Sequence, residues 1–277
     1  MTDKTITPAS PRPRSGGPLR TGLLATGSAL VAGALVLGGV QIAQASTGGD
    51  ESGVYTADGD FSNLEIDTSA ADVSVRYGDV EEAQLDFDAA DSPLRFEQEQ
   101  RGDTLRVSVK NRGWWGFGLF SGFDTATLDI VLPESLAPVG LDIDSSAGEV
   151  LADGDFAAVT LDSSAGDIDL AGSAASLRSH TSAGSITGTG LRVSGEVVSE
   201  SSAGDVRLEF ATLPSAIRLE SSAGDVRVAL PEGEYEIRTD TSVGSVTQGL
   251  ASTPGAARVY SFESSVGGIT LEPSTAR

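Results

Sequence analysis

Residues 200–206 and 220–226 both read ESSAGDV, and the recurrence of this phrase sets the architecture of the chain. Related copies are DSSAGEV (144–150), DSSAGDI (162–168), HTSAGSI (180–186), DTSVGSV (240–246) and ESSVGGI (263–269). Their glycines follow one another at intervals of 18, 18, 20, 20, 20 and 23 residues, and a degenerate early copy, DTSAADV (67–73), has Ala71 in the glycine position. Such a period is typical of repeat folds, in which each unit buries its apolar face by stacking on its neighbours.

Each phrase lies between two segments of alternating apolar residues. Ile217 and Leu219 precede the glycine at 224, and Val226 and Val228 follow it. This alternation predicts two strands, and its slip by one residue at each glycine indicates a bend or bulge. We therefore expect an all-β fold, a β-solenoid-like stack of short strands with 18–20-residue repeats over residues 141–272. The third residue of each phrase should form a row whose hydroxyls bond the corner backbone: Ser146, Ser164, Ser182, Ser202, Ser222, Ser242 and Ser265.

Residues 53–140 are less regular but also β-rich. The segments 83–89, 94–100, 104–110 and 127–133 alternate well enough to be strands. Gly102-Asp103 between two of them predicts a hairpin. We expect this region to begin the same β domain and to be a possible cap of the solenoid, because solenoid ends must be covered.

The N-terminal part differs in composition from the rest. Residues 1–20 predict a disordered basic cytoplasmic tail, residues 21–45 a transmembrane helix, and residues 46–52 a linker. Arginines precede the apolar stretch and acids follow it, so the positive-inside rule places the C-terminal domain outside the cell. The small-x-small triplet at 43–45 leaves a cleaved signal segment as the alternative, and both interpretations export the domain.

The charge and the rare residue types exclude several functions. The chain has a net charge of −22, no cysteine and a single histidine, His180. Since the first 45 residues carry a net +3, the remainder carries −25. Nucleic acid is therefore excluded as a partner, because its binding depends on Lys and Arg at phosphates. The lack of cysteine excludes disulfides and thiolate metal sites.

From TLDIVLPESLAPVGLDIDSSAGEVLADG (127–154) onwards, the chain resembles a bacterial family of putative adhesins. The resemblance rests on a strand that ends in Leu-Pro, a short link and serial SSAGDV corners behind an N-terminal hydrophobic span. It covers most of residues 53–272. The resemblance implies a solenoid-like β domain at the cell envelope, and the family supplies no catalytic residues to transfer.

The loop GWWGFGLFSGF (113–123) is the first candidate site, with Trp114, Trp115, Phe117, Phe120 and Phe123 as its partner-contact residues. Aromatic side chains on a glycine-rich loop suit contact with a ligand, a partner protein or a membrane interface. The alternative is a hydrophobic cap over one end of the solenoid.

The acidic residues that flank the corners are the second candidate. Repeated oxygen ligands could hold Ca²⁺, although the GGxGxD pattern of calcium rolls is absent. Arginines on the same strands could neutralise these acids instead, so we expect no metal and no cofactor. His180 occupies a repeat position filled elsewhere by Asp or Glu, without a nucleophile elbow nearby, and predicts no hydrolase.

These observations favour a non-enzymatic, single-pass protein of the cell membrane. Its extracytoplasmic β-repeat domain would bind an unknown protein or cell-surface ligand, while the N-terminal helix contacts the lipid bilayer. The alternative is an envelope-sensing or regulatory membrane protein that acts through its short cytoplasmic tail.

Overall fold

The computed structural model describes residues 52–90, 92–111 and 125–276. These residues form strands and one short 3-10 turn (Glu134–Leu136). The strands are β1 (Gly53–Ala57), β2 (Asn63–Thr68), β3 (Ala71–Gly78), β4 (Ala83–Asp88), β5 (Leu94–Arg101), β6 (Thr104–Asn111), β7 (Ala126–Pro133), β8 (Val139–Ser145), β9 (Val150–Ala165), β10 (Ile168–Ala183), β11 (Ile186–Val193), β12 (Glu196–Ser201), β13 (Val206–Phe210), β14 (Ala216–Ala223), β15 (Val226–Leu230), β16 (Glu236–Val243), β17 (Val246–Gln248), β18 (Val259–Val266) and β19 (Ile269–Pro273).

The strands build two faces that enclose one core. Face A contains the strands that precede each corner, in the order β5, β6, β2, β8, the second half of β9, the second half of β10, β12, β14, β18 and β16. Face B contains the strands that follow each corner, in the order β1, β4, β7, β3, the first half of β9, the first half of β10, β11, β13, β15, β19 and β17. Neighbouring repeats pair in parallel, which confirms the expected all-β, solenoid-like stack.

The order of the coils in space departs from their order in sequence at the C-terminal end. The last coil, β18 and β19, lies between β14/β15 and β16/β17. Its inward side chains, such as Tyr260 and Phe262, are fully buried. The inward positions of β16 hold Thr239 and Thr241, which are only half-buried. The more apolar coil therefore occupies the interior place, where it can bury both of its sides.

A similar intercalation occurs near the N-terminal end. The coil β2/β3 lies between β6/β7 and β8/β9, and all three pair in parallel. The region 53–140 thus supplies two coils of the stack itself, while β1, β4 and β5 cover its end through antiparallel pairs. Its irregular spacing reflects these covering strands, which interrupt the repeat. The predicted hairpin at Gly102-Asp103 is confirmed as the β5–β6 turn.

The two ends of the stack are finished differently. At the N-terminal end Tyr55 stacks on Phe96 with ring centroids 4.4 Å apart, and Phe96 lies 5.6 Å from Phe87. The side-chain amide of Gln98 donates to the carbonyl of Thr56 at 3.1 Å, which links β5 to β1. At the C-terminal end β16 and β17 each pair with one described strand, as β1 and β5 do at the N-terminal end, but the inward positions of β16 hold the half-buried Thr239 and Thr241 instead of aromatic side chains.

The expected tail (1–20), transmembrane helix (21–45) and most of the linker (46–52) lie outside the described residues and stay predictions. Within residues 52–90, 92–111 and 125–276 there is no helix with the length and hydropathy of a membrane span.

Candidate functional site: the corner ridge and the aromatic insertion

The corners form a continuous ridge along one side of the stack, with a column of glycines at its centre. A Cβ on Gly166 would lie 1.9 Å from the carbonyl oxygen of Gly148, and the same overlap recurs from coil to coil along the column. The glycines also have φ between 114° and 158°, a conformation that disfavours L side chains. The column runs Gly148, Gly166, Gly184, Gly204, Gly224, Gly267 and Gly244, in the intercalated order. Close coil packing therefore requires glycine at these seven corners.

A ladder of carboxylates lies beside this column on face B. The side chain of Asp205 accepts the backbone N–H of Asp225 at 2.8 Å, and Asp225 in turn accepts the N–H of Gly268 at 2.7 Å. Asp167 does the same for Ser185 at 2.7 Å, as Asp72 does for Glu149 at 2.8 Å. The hydrogen bond from the Asp225 N–H lowers the pKa of Asp205, with the Arg207 partner as a further cause. The acidic residue of the phrase thus has a structural role between coils.

A second column of hydroxyls is buried under the ridge. Ser201 Oγ donates to the carbonyl of Gly184 at 3.4 Å, and Ser264 Oγ donates to that of Gly224 at 3.3 Å. The expected row was wrong by one residue, since Ser202 and its equivalents are exposed. The shift arises because the bend begins after the second residue of the phrase. That residue therefore keeps the inward phase of its strand and becomes the buried one.

A row of ionisable side chains crosses the outside of face A. From the N-terminal side it contains Asp67, Asp144, Asp162, His180, Glu200, Glu220, Glu263 and Asp240, one from each neighbouring strand. Burial and the nearby Asp162 raise the pKa of Asp144. The pKa of Asp142 is also raised, mainly by burial and next by the charge of Asp144. Lys110 pairs with Asp67 at 2.6 Å and Arg218 lies 3.8 Å from Glu220, so basic side chains offset part of the repulsion.

Among the described residues, no cluster of His, Asp and Glu has an arrangement that could hold a metal ion. His180 Nδ1 lies 3.8 Å from Glu200, with Asp162 on the strand at its other side. The row is instead a solvated acidic stripe with partial compensation by arginine and lysine.

The aromatic loop replaces one corner of the ridge. In the coil β6/β7, the chain leaves face A at Asn111 and re-enters face B at Ala126, whereas the next coil joins β2 to β3 through Ser69 and Ala70 alone. The loop 113–123 and its aromatic residues lie outside the described residues. Their attachment points are described, and both lie on the corner side of the stack. Sequence reasoning found this loop, but only the strand pairing shows that it is an insertion at a corner.

A polar groove lies near the C-terminal end of face A. Its volume is about 460 Å³, and it follows β18 between Arg218 on one side and Arg238 on the other, with Ser261 as the floor. Arg238 pairs with Glu236 at 2.9 Å. No sequence pattern marked this groove. It exists because β18 lies between β14 and β16, which places the small side chain of Ser261 between the long side chains of Arg218 and Arg238.

The architecture defines a class: solenoid-like β domains whose coils stack through a glycine corner. Family comparison agrees, because the model of the Toastrack DUF4097 family matches residues 61–175 and, overlapping them, residues 136–265. The chain belongs to this Toastrack family. No curated protein matches it significantly.

Comparison with solved structures finds distant matches. A putative adhesin from Bacteroides fragilis is 16% identical, with a TM-score of 0.43 over 80% of this chain and 98% of its own. A putative cell adhesion protein from Clostridium sporogenes is 11% identical, with a TM-score of 0.36 over 80% of this chain and 100% of its own. A putative lipid binding protein from Parabacteroides distasonis is 12% identical, with a TM-score of 0.36 over 79% and 96%.

Proposed function

We propose that this chain is a non-enzymatic, membrane-anchored domain displayed outside the cell, which binds a partner protein or a cell-surface ligand. The aromatic loop 113–123 supplies the main contact. The observation that carries the proposal is the corner insertion, because the stack needs only a short turn at that position. The loop contains both tryptophans of the chain, and the coil does not need it in order to stack.

The finished N-terminal end supports contact over capping as the role of the loop. Tyr55, Phe87 and Phe96 already form an aromatic cluster there, and β5 pairs antiparallel with β6 of the first coil. Aromatic residues are among the side chains most often responsible for binding energy at interfaces, since they bury a large area at small entropic cost.

The test is crosslinking of the full-length chain in cells, followed by mass spectrometry of the captured material. We expect a defined partner that is lost in the Trp114→Ala/Trp115→Ala variant. Val54→Ala is the matched control, because Val54 is an apolar residue 65% exposed on β1. Capture that persists unchanged in the tryptophan variant would contradict the proposal and favour a capping role.

The regulatory alternative predicts a different result. Its basis is the separate basic tail, which carries Lys4, Arg12, Arg14 and Arg20. If the tail acts on a cytoplasmic partner, deletion of residues 1–18 removes that partner while the tryptophan variant keeps it. If the exported domain makes the contact, the two results are reversed.

A further inference from the structure

The polar groove along β18 lies open between two arginines on face A. Arg218 of β14 and Arg238 of β16 are both register partners of Ser261, which is half-buried at the floor. Neighbouring strands are about 4.8 Å apart, so the Cα atoms of the two arginines are about 10 Å apart. In the same row Val198 lies between Arg178 and Arg218, but Val198 is only 7% exposed. That gap is therefore closed, whereas the gap over Ser261 has a volume of about 460 Å³.

A hydrogen-bonded network fixes one of these arginines at the edge of the groove. Nε of Arg238 donates to Oε1 of Glu236 at 2.9 Å, and Nη2 lies 2.9 Å from the same oxygen. The other oxygen of Glu236 accepts the backbone N–H of Gly255 at 2.9 Å, which ties the pair to the link between β17 and β18. One carboxylate oxygen thus takes two of the five N–H donors of the guanidinium. The remaining donors of Arg238 are available to a bound group.

The second arginine is less restrained. Nη1 of Arg218 lies 3.8 Å from Oε1 of Glu220, which is beyond hydrogen-bond reach, and its side chain is 60% exposed. The guanidinium therefore keeps its N–H fork for another acceptor. Two guanidinium groups on opposite walls suit an anion that presents oxygens in two directions. A tetrahedral phosphate does so, whereas a planar carboxylate is matched by a single fork.

The groove also has acidic walls, which determine the charge of a suitable ligand. Glu263 follows Ser261 by two residues on β18, and Asp240 is the register partner of Glu263 on β16. Glu196 lines the groove as well, so the lining contains three carboxylates and two guanidinium groups. A simple anion is disfavoured here, because the carboxylates repel it. A ligand with a cationic group beside its anionic group satisfies both sets of charges.

The spacing of the charges limits the size of that ligand. Since Ser261 and Glu263 are two residues apart on one strand, the basic and acidic rows are about 6.7 Å apart. In an α-amino acid a single carbon separates the two charged groups, which are then only about 2.5 Å apart. A phosphate esterified to a two-carbon amino alcohol places phosphorus and nitrogen about 5 Å apart. Hydrogen bonds of about 2.8 Å at each end cover the remaining distance.

We propose that this groove binds a phosphodiester whose alcohol carries an ammonium group. The two non-bridging oxygens accept N–H groups of Arg218 and Arg238, and the hydroxyl of Ser261 donates to one of them. The ammonium group donates to Glu263 and Asp240. Such a ligand has no net charge, so the acidity of the domain does not repel it. The groove lies on the C-terminal coils and the aromatic loop is inserted in the coil β6/β7, so the inference does not rest on the proposed function.

Calorimetric titration of the full-length chain at low salt tests the proposal. The probe is glycerophosphoethanolamine, a soluble phosphodiester with an ammonium group, while dimethyl phosphate and ethanolamine carry its two charged groups separately. We expect the probe to bind with a Kd of about 1 mM or below, and each half to bind at least about tenfold more weakly. No binding of the probe up to about 20 mM would overturn the proposal, as would equal affinity for dimethyl phosphate.

Substitutions locate the site. Arg218→Gln should weaken binding of the probe at least about tenfold, whereas Arg178→Gln, two strands away in the same row, should leave it unchanged. Glu263→Gln should weaken binding of the probe without weakening that of dimethyl phosphate, which has no ammonium group. Thermal unfolding of each variant checks that the fold is retained. Equal effects of the two arginine substitutions would show unspecific attraction and refute the site.

Two further measurements separate the proposals and identify the source of the ligand. The Trp114→Ala/Trp115→Ala variant should bind the probe as the unmodified chain does, whatever happens to its partner in cells. The probe is also titrated against the chain in vesicles of phosphatidylethanolamine and of phosphatidylcholine, whose headgroup nitrogen has no N–H donor. Weaker probe binding in the phosphatidylethanolamine vesicles would identify a lipid headgroup as the ligand, and equal binding a free or polymeric phosphodiester. Loss of probe binding in the tryptophan variant would contradict the groove as the site.

Discussion

Substitution of one corner glycine tests the stacking geometry directly. We expect Gly204→Ala to destabilise the domain strongly, because its Cβ would lie 1.9 Å from the carbonyl oxygen of Gly184. Relief of that overlap separates the two coils at the corner. The separation strains the bonds from Gly184 N to Ala203 O and from Ile186 N to Asp205 O, each 2.9 Å long and each between these two coils.

The magnitude follows from these contacts. Two weakened hydrogen bonds cost about 1 kcal/mol each. A side chain at φ 141° adds about 1–3 kcal/mol of backbone strain. The lower entropy of the unfolded alanine chain offsets about 0.4–1 kcal/mol. The net loss is about 3 kcal/mol, which for a domain of this size lowers Tm by about 6–12 °C.

Gly190→Ala is the matched control. Gly190 also has positive φ, 61°, but a Cβ added there would meet no atom within 4 Å. It should lose only about 1 kcal/mol, from the left-handed backbone. Thermal and urea unfolding of the full-length chain measure both variants. Equal losses would show that coil overlap contributes nothing and would refute the reasoning.

Three further predictions concern the acidic row, the buried hydroxyls and the coil order. Burial and neighbouring acids raise the pKa of Asp144 above its unfolded value, so the ionised form of Asp144 destabilises the fold. Tm should therefore rise as pH falls from 7 towards 4. Asp144→Asn should raise Tm at pH 7 but not at pH 4. A Tm gain of equal size at both values would contradict this. Ser201→Ala should cost about 1 kcal/mol in urea unfolding, because Ser201 is buried and hydrogen-bonded. Ser202→Ala should change the free energy of unfolding by less than about 0.5 kcal/mol. A larger loss for Ser202→Ala than for Ser201→Ala would show that Ser202 and its equivalents are the hydroxyls that bond the corner, as the sequence predicted. In the same assay Phe262→Ala should lower the free energy of unfolding by about 3–5 kcal/mol, and Thr239→Ala should lower it by less than about 1 kcal/mol. A small loss for Phe262→Ala would indicate that the last coil lies at the end of the stack.

The aromatic loop shows how much of the candidate site could be found in advance. Its composition marks it in the sequence, as two tryptophans and three phenylalanines within eleven residues. Its location on the ridge depends on β6 and β7 pairing with β2 and β3. Those pairings join segments about 40–60 residues apart, and no local pattern specifies them.

The acidic residues illustrate a different limit. Their spacing suggested oxygen ligands for calcium, whereas Asp167, Asp205 and Asp225 accept backbone N–H groups of the next coil. The same sequence pattern is compatible with two roles of a repeated carboxylate: it can bind a cation, or it can accept a hydrogen bond from a backbone N–H. The difference depends on where the next coil places its amides, which is a property of the stack.

The sequence by itself determined the coil: its period, its two strands, its glycine corner and the slip in alternation that the corner produces. These features are local, because strand alternation and backbone conformation depend on a few adjacent residues. Tertiary structure alone decided the order of the coils at both ends and which hydroxyl of each phrase is buried. Similar coils offer similar stacking surfaces, so chain order does not fix spatial order. The burial of Tyr260 and Phe262 decides it instead, and leaves the threonines of β16 at the open end.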